Sequence, residues 1–118
     1  VLLSTRAPIG YVAVAKNPLS TNQGFRSLIL NNKVSSKYIY YILKSKTDLL
    51  NSLGSGATFK ELSGFKLKKI KIPLPPIEAQ KEIVEEIEEE KAYVESCKKL
   101  IKINQNKIQQ KINEIWEK

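Results

Sequence analysis

Leu74-Pro75-Pro76-Ile77-Glu78-Ala79-Gln80-Lys81-Glu82-Ile83 divides the chain into two unlike halves. Pro75 and Pro76 force extended backbone just upstream and stop any earlier helix from running through. Pro76 is also tolerated as the first residue of a helix, where its missing N–H costs nothing. Glu78 and Glu82 then place negative charge at the positive end of the helix dipole. No proline or glycine follows Pro76. The reading is therefore a turn-rich segment with strand-like runs over 1–76 and one long helix over 77–118, an α+β chain.

The helical half carries one seam. Ile87, Val94, Ile101, Ile108 and Ile115 recur every seven residues. Val84 and Ile112 stand in one adjoining column with Lys91, Lys98 and Gln105; Ile83 and Cys97 stand in the other with Glu90, Asn104 and Lys111. A seven-residue repeat of this length predicts coiled-coil packing. The stripe is narrow, so the expected partner is another long helix rather than a broad sheet. Polar Asn104 and Gln105 beside the seam select register at some cost in stability. A helix of 42 residues is a rod of roughly 60 Å and needs a partner along its seam to hold its shape. Trp116 is either a contact to another protein or a helix-end anchor.

Upstream, Val1 to Arg6 reads as the end of a strand entering a polar turn punctuated by Pro8 and Gly10. Gly10 to Ala15 is a short apolar run rich in β-formers and is read as a buried strand. Lys16 to Gly24 is a loop dense in Asn, Ser, Thr and Gln. Those side chains bond base edges or phosphate, or else they serve plain turn chemistry. Phe25 to Leu30 reads as a second strand. Ser35 or Ser36 caps a helix running to about Leu50, with Tyr38, Ile39, Ile42, Leu43, Leu49 and Leu50 at helical spacing. Tyr40 and Tyr41 widen that stripe, more as half-buried core than as base-stacking platforms. Gly54 to Glu61 is a glycine-containing loop able to bring backbone N–H groups close to phosphate, but it lacks the P-loop spacing. Ser63 to Ile70 is a short turn of helix, and Lys71 to Leu74 is extended and expected to pair as an edge strand. Lys66, Lys68, Lys69 and Lys71 form the densest basic cluster.

Charge is uneven. Residues 1–76 hold 12 Lys/Arg against Asp48 and Glu61, a net of +10, whereas residues 77–118 hold 8 Lys and 10 Glu. Such asymmetry points to a polyanion, most often nucleic acid, although lysine-rich surfaces also occur without that role. The single cysteine excludes an internal disulfide and a cysteine-based metal cluster, and the lack of histidine removes the usual zinc and iron ligands and the usual general base. With no nucleotide loop and no paired acidic site in the basic half, an independent enzyme has no support. No apolar run is long enough to span a membrane, and a reduced cytoplasmic compartment fits the cysteine usage.

Four separated stretches now bear on family. They are Ser4-Thr5-Arg6-Ala7-Pro8-Ile9-Gly10, Thr21-Asn22-Gln23-Gly24-Phe25, Gly54-Ser55-Gly56-Ala57-Thr58-Phe59-Lys60-Glu61-Leu62-Ser63, and Ile72-Pro73-Leu74-Pro75-Pro76-Ile77-Glu78-Ala79-Gln80. In this order, and over nearly the whole chain, they resemble the specificity subunit of type I restriction–modification systems. Ala79 departs from the glutamate frequent in the family's helix-start motif. The resemblance implies that residues 1–76 are part of a DNA target recognition domain and that residues 77–118 are the spacer helix that follows it. It also implies a subunit without chemistry of its own. The partners it implies are double-stranded DNA and the modification subunits, with restriction subunits joining through the latter. S-adenosylmethionine and ATP with magnesium are cofactors of those other subunits only, so no cofactor is expected on this chain. The family has two recognition domains. Together with the abrupt strand at Val1, this gives the expectation of a fragment, a truncated form or a non-AUG start.

Two functional expectations result. In the first, Arg6, Asn22, Gln23, Lys60, Lys66, Lys68 and Lys69 face DNA. Arg6 suits phosphate or guanine, Asn22 and Gln23 suit base edges, and the lysines suit backbone positioning. In the second, the chain is a protein-interaction element that forms a homodimer along Ile87, Val94, Ile101, Ile108 and Ile115 and binds no DNA alone.

Overall fold

The computed structural model describes residues 1–117 and has a mixed α+β architecture. Strands β1 (Leu2–Ser4), β2 (Val12–Ala13) and β3 (Phe25–Ser27) form a small antiparallel sheet in the order β2-β1-β3. Leu2 opposes Ala13 on one side and Ser27 on the other, so β1 is central. Helices α1 (Ser36–Ser45), α2 (Thr47–Leu53), α3 (Gly64–Lys68) and α4 (Ile77–Trp116) complete the chain. Lys118, the last residue of the expected helix, lies outside the described residues.

Two compact units are present, Val1–Val84 and the stretch from Glu85 onward. The first unit has two clusters of buried side chains. Leu3, Ile9, Leu50 and Leu62 form one. Tyr38, Ile39, Leu43 and Val84 form the other. Val12 and Leu28 pack against both and join them. Burying each such side chain contributes about 2 kcal/mol.

These two clusters explain the first departure from the sequence reading. The helix expected to run from a cap at Ser35 or Ser36 to about Leu50 is two helices, interrupted at Lys46, whose φ of −103° and ψ of 14° break the α-geometry. Ser45 Oγ donates to the Ile42 carbonyl and Thr47 Oγ1 to the Lys44 carbonyl, and such side-chain bonds compete with the helical ladder. The break lets α1 present Tyr38, Ile39 and Leu43 to one cluster while α2 presents Leu50 to the other. Thr47 sits against Gly10, where an added Cβ would lie 2.9 Å from Thr47 Cγ2, and Gly10 holds a φ of +96° that only glycine adopts easily. Asn51 Nδ2 donates to the Ile9 carbonyl at 3.0 Å, fixing α2 on the same turn.

The strands are shorter than expected. The run read as a buried strand from Gly10 to Ala15 pairs only at Val12 and Ala13 and is an edge strand, with Tyr11 and Val14 exposed. The Phe25 to Leu30 run pairs over Phe25–Ser27, all exposed. Lys71 to Leu74 joins no ladder. It is held instead by the Tyr38 hydroxyl, which donates to the Pro73 carbonyl at 3.0 Å. That side-chain bond replaces a pairing for which Pro73 lacks the donor.

The start of α4 is clipped to the first unit by Gln80, a fully buried polar side chain. Its Oε1 accepts from the Ser35 N–H at 2.9 Å. Its Nε2 donates to the carbonyls of Lys33 at 3.0 Å and Pro75 at 2.7 Å. Ser35 is also the N-cap of α1, its hydroxyl accepting from the Tyr38 N–H. One glutamine thus ties together the entries of two helices and satisfies its own buried atoms. Beyond Val84, α4 is exposed apart from the half-buried Ile87 and Glu88. Cys97 is an exposed free thiol on it. No helix of the described residues is long and apolar enough to cross a membrane.

Candidate nucleic-acid interface

The first element of the interface is the turn between β1 and β2. Ser4 Oγ donates to the Pro8 carbonyl at 2.7 Å and accepts from the Tyr11 N–H at 2.9 Å, closing the turn from inside. Thr5, fully buried, bonds the Gly24 carbonyl with both its N–H and its hydroxyl. The Thr5 carbonyl accepts from the Leu62 N–H. With Ser4 and Thr5 drawn inward, Arg6 is left at the surface.

The second element is the loop 16–24. Asn22 Oδ1 accepts from the Gly24 N–H at 2.8 Å, an Asx turn. Of the two readings of this loop, turn chemistry accounts for the oxygen of Asn22, and its amide nitrogen is what remains for an outside partner. Gln23 is exposed beside it.

The third element is the loop between α2 and α3. Ser55 and Glu61 exchange two backbone hydrogen bonds of 3.0 Å and close a tight tip. Gly56 holds a φ of +141° there, and an added Cβ would collide with the Phe59 carbonyl. The tip displays Phe59, 79% exposed, next to exposed Lys60. Glu61 also lies opposite Arg6 in an antiparallel arrangement flanked by the bond from the Leu62 N–H to the Thr5 carbonyl. Its carboxylate lies 3.4 Å from Arg6 Nε, with both side chains about half exposed. The three loops thus converge. Arg6, Asn22 and Gln23 line one cavity of about 320 Å³ together with Tyr11, Pro8 and Phe25.

The lysines expected to face DNA do not form one patch. Lys60 belongs to the tip just described. Lys66 donates from Nζ to the Leu53 carbonyl at 3.0 Å and satisfies the end of α2, so its charge has a structural task. Lys69 lies over the Phe65 ring, 4.1 Å from its centroid, a cation–π contact. Lys66, Lys69 and Lys71 line a cavity of about 380 Å³ with Leu49 and Leu53. Lys68 instead lines a larger apolar groove of about 720 Å³, with Arg26 also on its lining. Arg26, Tyr11, Phe59 and Glu61 were not singled out by the sequence reading. For Glu61 a signal existed: it is one of two acids in a half with 12 basic residues.

On α4 the heptad positions lie on one stripe in the order the repeat dictates. Val94 is 52% exposed, Ile101 57%, Ile108 60% and Ile115 72%. Polar contacts on this helix are local, such as Lys98 with Glu95 and Lys111 with Glu114. Asn104, read as a register-setting residue, donates from Nδ2 to the Leu100 carbonyl of its own helix.

Residues 1–115 match the family model described as the type I restriction modification DNA specificity domain. The chain is 46% identical over 114 residues to the type I restriction enzyme MjaIX specificity subunit of Methanocaldococcus jannaschii, covering 95% of this chain and 25% of that protein. It is 35% identical over 112 residues to the putative type I restriction enzyme MjaX specificity subunit of the same organism, covering 86% of this chain and 26% of that protein. Over 75 residues it is 33% identical to the type I restriction enzyme EcoR124I/EcoR124II specificity subunit of Escherichia coli, covering 62% of this chain and 19% of that protein. The chain therefore spans about a quarter of the length of the first two of these relatives.

Proposed function

This chain belongs to the family of type I restriction modification DNA specificity domains, and from that membership we propose that it is a DNA-recognition and scaffolding module with no chemistry of its own. The observation that carries the reading is the convergence of Arg6, Asn22 and Gln23 on one cavity, in a half of the chain with a net charge of +10. Lys60 stands on the adjoining tip. A guanidinium and two amides are the groups that bond guanine and adenine edges or phosphate oxygens. Lys60 and the other lysines of this half neutralise backbone charge. Residues 1–76 form part of the recognition domain and 77–118 the spacer helix that docks modification subunits, and through them restriction subunits. Methyl transfer from S-adenosylmethionine and ATP-driven steps belong to those subunits, and the complex acts in the cytoplasm.

The test is the salt dependence of binding to a fluorescein-labelled duplex, read by anisotropy. Three or more phosphate contacts give a log–log slope of about −3 or steeper. A slope near zero overturns the reading.

The exposed stripe of α4 supports a second element of the reading. The chain pairs with another long helix along Ile87, Val94, Ile101, Ile108 and Ile115, and a homodimer built this way carries two recognition units.

A further inference from the structure

We propose that Glu61 is a positioning residue that holds the Arg6 guanidinium in the orientation in which it meets DNA; this rests on the DNA-recognition reading above. An acid is a liability on a surface that binds a polyanion, since its charge repels phosphate. Yet Glu61 pairs with Arg6 of the candidate interface, in a half of the chain whose only other acid is Asp48. Its backbone closes the loop tip by two bonds with Ser55 and lies opposite Arg6, so the carboxylate is delivered to a fixed place. The ion pair runs through Nε at 3.4 Å. Engagement through Nε leaves the two terminal amino groups, the edge that makes bidentate bonds to guanine or phosphate.

The stem of Arg6 runs past the open α-carbon of Gly24, where an added Cβ would lie 3.8 Å from Arg6 Cδ and 3.0 Å from Asn22 Oδ1. A long side chain with half its surface exposed is ordinarily mobile, and ordering it on binding costs affinity. Glu61 at its head removes part of that cost beforehand. Glu61 thus acts on DNA through Arg6 and touches no base itself.

The experiment compares duplex affinities of the unmodified chain, Glu61→Ala, Arg6→Ala and the double variant, by anisotropy at one low salt concentration. Simple electrostatics requires that removing an acid tighten binding. Positioning requires the opposite, a weakening of about two- to fivefold in Glu61→Ala, the range an oriented surface pair supports. It further requires that the penalty vanish or change sign in the Arg6→Ala background, where only the repulsion is left. Tighter or unchanged binding in Glu61→Ala overturns the proposal while the DNA reading stands, as does an equal penalty with and without Arg6. Salt-independent or absent binding by the unmodified chain overturns the DNA reading, and the proposal with it. The Glu61 backbone bonds do not involve its side chain; if the alanine variant nevertheless fails to fold, Glu61→Gln is read in the same way.

Discussion

Gln80 shows how one side chain can fix a fold. It is fully buried and bonds the Ser35 N–H and two carbonyls, of Lys33 and Pro75. Gln80→Leu preserves approximate volume but strands those three backbone groups, each of which carries a desolvation penalty when unpaired. Chemical denaturation of Gln80→Leu is expected to show a loss of about 2–4 kcal/mol. The sequence marked Gln80 only as part of a helix-start motif. Its task was not legible because its partners lie 45 and 47 residues away, at Ser35 and Lys33. Local pattern carries no such distance. Arg6 was legible, since an arginine in a polar turn of a basic segment points to an anion. The Glu61 that meets it across 55 positions was legible only as an oddity of charge.

At the scale of elements, periodicity served where it was long and failed where it was short. The start of α4 and its unbroken run followed from Pro76 and the absence of any later breaker. The break at Lys46 did not, because no proline or glycine marks it; its causes are the Ser45 and Thr47 side-chain bonds and the need to feed two separate clusters. The strand expected at Lys71 to Leu74 failed because extended backbone does not imply a paired neighbour. The lysines of the basic cluster at Lys66 to Lys71 have different surroundings in the fold. Lys60 and Lys66 therefore separate two roles. Lys60→Ala is expected to leave thermal stability unchanged and to reduce the salt slope of DNA binding by about one. Lys66→Ala removes the bond to the Leu53 carbonyl and is expected to lower stability by about 1 kcal/mol in denaturant titration.

For the whole molecule, the exposed stripe of α4, proposed above as a helix-pairing surface, bears on the state of assembly. A lysine at its middle places a charge where the heptad requires an apolar knob. In light scattering at tens of micromolar, the unmodified chain is expected to be a salt-resistant dimer and Ile101→Lys a monomer. A monomeric unmodified chain assigns the stripe to a helix elsewhere in its own subunit or in a modification subunit.

The turn at Ser4 to Gly10 has a consequence for which of its side chains can be exchanged. Its shape is dictated by atoms that face inward: the Ser4 hydroxyl, both polar groups of Thr5, and the glycine at position 10. Arg6 lies between these residues, and its side chain contributes none of the bonds that shape the turn. The same holds for Gln23 between Asn22 and Gly24, and for Lys60 between Gly56 and Leu62. Exchanging Arg6, Gln23 or Lys60 therefore changes what the surface offers a ligand while leaving in place the bonds that shape the loops beneath.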